Sequence, residues 1–130
     1  MKSYVVDTHA LVWHLTDDPR LGKKAREILE SNGNQLILPA IVLAEAKCIA
    51  DSKRVPIAFP DILATILNDP RCIVYPIDIL TVFYLPKGLD IHDALIVGTA
   101  LLCRDLLRQD IYILTKDEEI QESGFIPTVW

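Results

Sequence analysis

Short apolar runs alternate along this chain with stretches in which apolar residues recur at helical spacing. The runs predict strands at residues 3–6, 35–38, Cys72–Tyr75 and Ile111–Leu114, with a last short strand at 127–129. Between them, helices are predicted at 10–15, at Ala40–Asp51, from Pro60-Asp61 to Asn68, at 79–84, and at Ile91–Leu107. Another helix is expected to open at Asp18-Pro19, with aspartate as N-cap and proline in the first turn. It carries Leu21, Ala25, Ile28 and Leu29 on one face and is expected to stop at Gly33. Residues 94–102 are uncharged, which predicts a central, buried helix. Alternating strands and helices imply an α/β fold: one domain, residues 1–130, with a central parallel sheet flanked by helices on both faces. No internal repeat or linker interrupts it.

Acidic residues punctuate this pattern. Asp7 closes the run Tyr4-Val5-Val6, and Glu45 lies among Ile41, Val42, Leu43, Ala44 and Ala46. Asp93 heads the longest helix, and Asp117 follows the last long strand. In an open parallel sheet the carboxyl ends of the strands line one crevice, so these four are expected to converge there. Carboxylates crowded together stay ionised only with positive charge among them. A hard divalent cation with oxygen ligands meets that need and points to phosphate chemistry.

Each acid also has a plainer account. Asp7 suits an N-cap, and Glu45 has Lys47, Lys53 and Arg54 in range as structural partners. Asp90 and Asp93 form an Asp-x-x-Asp capping box, with Asp90 as the cap and Asp93 as the site residue. A solvated acidic loop fits Glu118 and Glu119 better than Asp117. Thr8 and Thr115, each within two residues of an acid, are candidates to hold a water or a phosphate oxygen. Lys47, Lys53, Arg54 and Lys116 are the nearest basic residues in sequence.

Composition narrows the classes. The chain has 130 residues, 51% hydrophobic and 24% charged, enough for one core without a disordered tract. No apolar run is long enough to span a bilayer, and the first residues turn acidic too early for a secretory signal, so a cytoplasmic location is expected. A net charge of −5 argues against passive, charge-driven nucleic-acid binding but not against a metal-assisted enzyme. Cys48, Cys72 and Cys103 lack Cys-x-x-Cys spacing and are expected to be buried free thiols. His9 and His14, five apart, share no helix face for a metal.

The chain resembles PIN-domain ribonucleases, and most closely the VapC-type toxins of toxin–antitoxin pairs. The resemblance rests on Val5-Val6-Asp7-Thr8-His9-Ala10-Leu11-Val12-Trp13, Leu43-Ala44-Glu45, Ile91-His92-Asp93-Ala94-Leu95-Ile96-Val97-Gly98-Thr99-Ala100 and Leu114-Thr115-Lys116-Asp117. It implies an endoribonuclease dependent on Mg²⁺ or Mn²⁺, with Asp7, Glu45, Asp93 and Asp117 as catalytic and metal residues and Thr8, Asp90 and Thr115 behind them. It also implies an RNA substrate, a small VapB-like antitoxin and a homodimer. An apolar surplus that includes Trp13, Phe59, Phe83, Tyr84 and Trp130 gives that dimer a physical motive. Many of these toxins carry arginine directly after the third acid, where this chain has Ala94. The alternatives are a PIN-domain nuclease of RNA processing and a receiver-like phosphoacceptor module, built on Asp78 and Lys116. The receiver reading lacks the paired acids such a module needs after its first strand.

Overall fold

In the computed structural model, which describes residues 2–130, the elements run β1 (Lys2–Val6), α1 (Thr8–Leu15), α2 (Lys23–Glu30), β2 (Asn34–Pro39), α3 (Ala40–Asp51), α4 (Phe59–Asn68), β3 (Cys72–Tyr75), α5 (Ile79–Phe83), α6 (Ile91–Leu107), β4 (Ile111–Leu114), α7 (Glu118–Ser123) and β5 (Thr128–Val129). The strands form one all-parallel sheet in the order β3-β2-β1-β4-β5. Consecutive residues Tyr4, Val5 and Val6 are all buried. Since side chains alternate across a strand, β1 is covered on both faces, as parallel strands require.

The chain steps outward from β1 through β2 to β3, then returns to β4 on the other side of β1. That reversal opens a crevice beyond the carboxyl ends of β1 and β4. Helix α6 leads directly into β4, which sets its amino terminus at the same end of the sheet. Its residues Ala94 to Ala100 are all buried, as their lack of charge predicts. Ile96, Val97 and Ala100 join Val42 and Ala46 of α3 and the strand residues in one core. Among the described residues no helix is long and apolar enough to cross a membrane.

Several local expectations are corrected. Asp18-Pro19 opens no helix: the Asp18 carboxylate accepts the Arg20 backbone N–H at 2.9 Å and its guanidinium at 3.0 and 2.7 Å, which makes a turn. Helix α2 begins only at Lys23, after Gly22, where a Cβ would collide with Trp130. It ends at Glu30, ahead of Gly33, which has no left-handed backbone. The acidic stretch after Asp117 is helix α7, closed by Gly124 at φ 70°. Its amphipathic signal is one apolar residue, buried Ile120. Helix α3 is less enclosed than its composition implies, since Ala44, Lys47 and Cys48 are exposed. Of the three free thiols, Cys103 is buried, Cys72 half-buried and Cys48 exposed.

The apolar surplus is also redistributed. Trp13 is buried, while Phe59, Tyr84 and Trp130 are half-buried. Phe83, 85% exposed, is joined instead by aliphatic neighbours on and beside α5, with Ile79 at 87%, Val82 at 57% and Leu80 at 50%. Ile73 and Val74 on edge strand β3 and Leu106 and Leu107 at the end of α6 are exposed as well.

Candidate active site

The register between β1 and β4 assembles the first part of the site. Val6 pairs with Leu114, and the Asp7 N–H donates to the Leu114 carbonyl at 3.1 Å. Asp7 and Thr115 therefore emerge side by side. The Asp7 carboxylate caps α1 by accepting the Thr8 N–H at 2.6 Å, and its second oxygen accepts the Thr115 hydroxyl at 2.5 Å. Thr115 is fully buried, and its Oγ1 in turn accepts the Asp117 N–H at 3.0 Å. One hydroxyl thus fastens two of the predicted acids.

Thr8, also buried, donates to Glu45 Oε1 at 3.1 Å and joins α1 to α3. Neither threonine is aimed at a water or phosphate by preference; both hydroxyls are committed to carboxylates. Glu45 makes no salt bridge with Lys47, Lys53 or Arg54, because Lys47 binds Asp51 and Arg54 binds Ser52. Asp117 caps α7 through the Ile120 N–H at 3.1 Å. Asp90 caps α6 by accepting the Asp93 N–H at 3.0 Å, which leaves the Asp93 carboxylate to face the crevice.

These residues meet in a cavity of about 210 Å³ lined by Asp7, Thr8, Glu45, Asp93, Thr115, Lys116 and Asp117, with His9, Ala10, Ile96 and Trp130 completing the wall. All four predicted acids are there; Asp90 is exposed outside it. Burial, then the charges of Asp117, Asp90, Asp7 and Glu119, pushes the Asp93 carboxyl up to about 6. Burial likewise raises Asp7, although its bonds from Thr115 and Thr8 pull the other way. Negative charge is in surplus, and among the described residues Lys116 is the one lysine or arginine on the wall. Carboxylate oxygens held at one open cavity suit a hard cation rather than a soft one.

Glu119 escapes the sequence reading. Helix α7 folds it over the start of α6, where oxygens of Asp90, Asp93 and Glu119 lie within 4.8 Å of one another. The only clue is local, since Asp117 as a cap makes the next residues a first helical turn rather than a loop.

The family model of the PIN domain matches residues 4–126. The chain belongs to the PIN-domain family. The receiver-like alternative falls with that match. No curated protein matches this PIN domain in sequence. Among solved structures, that of VapBC2 from Rickettsia felis bound to a DNA fragment from their promoter resembles it with a TM-score of 0.70 at 16% identity. The alignment spans 98% of this PIN domain and 98% of that chain, a likeness of fold.

Proposed function

We propose that this PIN domain is a metal-dependent endoribonuclease, the toxin of a VapBC-type toxin–antitoxin pair. The observation that supports the chemistry is the meeting of Asp7, Glu45, Asp93 and Asp117 in one cavity, two of them gripped by buried threonines. Those four residues would hold Mg²⁺ or Mn²⁺. Such a cation, when bound, lowers the pKa of a water and polarises a phosphoryl group.

The chain's own groups then have distinct tasks. Thr115 keeps the Asp7 carboxylate aimed outward and ties it to Asp117, so both stay in place without a partner cation. Thr8 does the same for Glu45. Burial and the neighbouring acids hold the metal-free Asp93 carboxyl up to about 6, so a bound cation would lower it and keep Asp93 ionised as a ligand. Ala94 is buried and offers no charge, so Lys116 is the cation that meets the phosphate within the crevice.

Two partners complete the reading. A small antitoxin would lay a carboxyl-terminal segment along the chain and set a basic side chain among the carboxylates, excluding metal without a change of fold. A second copy of this chain would cover the apolar face of α5, where Ile79 and Phe83 stand in solvent. Purified protein should cleave single-stranded RNA in Mn²⁺ and lose cleavage with chelator, and co-expression with the small protein encoded next to it should abolish toxicity and yield a co-purified complex. An inactive preparation of the folded chain in millimolar Mn²⁺ would sink the nuclease assignment.

A further inference from the structure

Beside the acidic crevice lies a second groove of about 220 Å³ whose wall has the opposite character. Arg20 and Arg54 stand at it, Val12, Trp13, Ile49 and Val55 floor it, and His9 belongs to both cavities. Among the described residues no carboxylate lines it. Asp18 pairs with Arg20 from outside the lining, so the groove keeps the charge of Arg54 beside a carboxylate-rich crevice.

Trp13 organises the boundary. The Arg20 guanidinium and the Lys116 ammonium each lie 4.6 Å from the centre of its ring, one belonging to the groove and the other to the crevice. The His9 ring sits 5.1 Å from that of Trp13 and the Trp130 ring 5.9 Å, edge-on. An indole face attracts a cation and limits where its flexible stem can go, so Trp13 holds both charges at the boundary. Asp18 binds Arg20 through Nε and Nη2 only, which fixes the fork and leaves the Nη1 side for a ligand. Among the described residues Arg54 makes no salt bridge, and its Nε donates to the Ser52 hydroxyl. Lys47 and Lys53, equally near in sequence, are not on this wall.

We propose that the groove is the subsite for the RNA strand flanking the scissile phosphate. The next two phosphates along the strand are each bound by one of Arg20 and Arg54, the ribose rests on half-buried Ile49 and Val55 of the floor, and Lys116 bridges to the crevice. Positive charge along a backbone track, with apolar support for the nucleoside, suits a single strand. The proposal rests on the nuclease reading for its substrate but not for its binding test.

Binding of a fluorescent single-stranded oligoribonucleotide of about 20 nucleotides, measured by anisotropy across a salt series with chelator present, separates the two. Loss of two phosphate contacts should reduce the slope of log affinity against log salt by about 1.4, at about 0.7 per single-strand contact. The Arg20→Ala/Arg54→Ala double variant is expected to show that fall, with affinity down at least about tenfold in moderate salt. In Mn²⁺ its KM should rise while kcat holds. Arg54→Gln alone should give about half the change in slope, which guards against a folding defect in the double variant. Lys24→Ala, an exposed lysine on α2 away from both cavities, should behave as wild type. An unmoved slope and KM in a double variant of normal melting temperature would overturn the subsite even if the wild type cleaves RNA. A reduced slope with a wild type that cleaves nothing keeps the groove and removes the nuclease. If the double variant binds RNA normally yet no longer co-purifies with the small neighbouring protein, the groove is a protein seat and the proposal is wrong.

Discussion

The crevice at the ends of β1 and β4 and the edge of the molecule around β3 and α5 depart from good packing in opposite ways. In the crevice, carboxylates are held half-buried beside one another, so the polar groups are desolvated and mutually repelled. Around α5, large apolar side chains stand in water although nothing in the local backbone demands it. Elsewhere the chain obeys ordinary rules: its core is aliphatic, and among the described residues no buried side-chain polar atom lacks a partner. Under the proposed function, repulsion in the crevice costs stability and would be relieved by a cation, whereas the apolar face forgoes burial that a second apolar surface would supply. Changes in the crevice should therefore harm chemistry and spare the fold, and changes around α5 should harm assembly and spare both.

The largest effect is expected from charge removal in the crevice. Asp7→Asn or Asp93→Asn should reduce RNA cleavage by about a thousandfold or more, because several kcal/mol of metal-based stabilisation is lost. Without metal, thermal melting of either variant should be unchanged or higher, since repulsion falls. A lower metal-free melting temperature for both would place these acids in the fold rather than in the chemistry.

At the other region, Ile79→Ser/Phe83→Ser should weaken self-association by at least about a hundredfold, as burying such side chains contributes about 1.5–3 kcal/mol each. Folded stability should move by no more than about 0.5 kcal/mol, because both residues are exposed in the single chain. Light scattering across a dilution series reads the first and chemical denaturation the second. A wild-type chain that remains monomeric at tens of micromolar would break the comparison on this side.

Thr115→Val lies between the extremes and tests how the crevice is supported. It keeps shape but removes the bond to Asp7 and strands the Asp117 N–H. Activity should fall about 10- to 100-fold, with about 1–3 kcal/mol of stability lost. A valine variant with wild-type kinetics would mean that the hydroxyl does not orient Asp7.

Smaller effects come from titration. The folded Asp93 carboxyl sits at about 6, above its usual 3.8, so it binds its proton more tightly folded than unfolded. Its contribution favours the fold most below 3.8 and is lost as pH rises through about 6, and Asp7 acts in the same direction. Metal-free melting temperatures should decline over that window, Mn²⁺ should raise them more at pH 7 than at pH 5, and Asp93→Asn should flatten the metal-free profile. Smallest of all, Glu119→Gln should raise the Mn²⁺ concentration for half-maximal activity a few-fold, whereas Glu118→Gln should leave it alone. Equal responses would show that the placement of Glu119 beside Asp93 has no bearing on the metal.

Much of this was legible from residue order. The bounds of α3, β3, α6 and β4 follow from apolar runs and caps, and Asp90 caps α6 as its spacing with Asp93 implies. The start of α2 was not, because Asp18 has two possible uses, as a helix cap or as the acceptor for Arg20, and only the folded turn chooses. Helix α7 was hidden because its polar residues read as loop and its one buried anchor, Ile120, needs a core to enter.

The sequence by itself determined the order of strands and helices and the positions of Asp7, Asp93 and Asp117 near element ends, since runs, periods and caps act over a few residues. The fold decided everything that couples distant segments. The Thr115 hydroxyl finds Asp7 across 108 positions because parallel pairing of β1 with β4 sets them abreast. Thr8 meets Glu45, Glu119 approaches Asp93, and Trp13 gathers Arg20 and Lys116 for the same kind of reason. A side chain's local pattern says that it is polar or apolar, but its partner is set by sheet register and helix packing, which are properties of the whole chain.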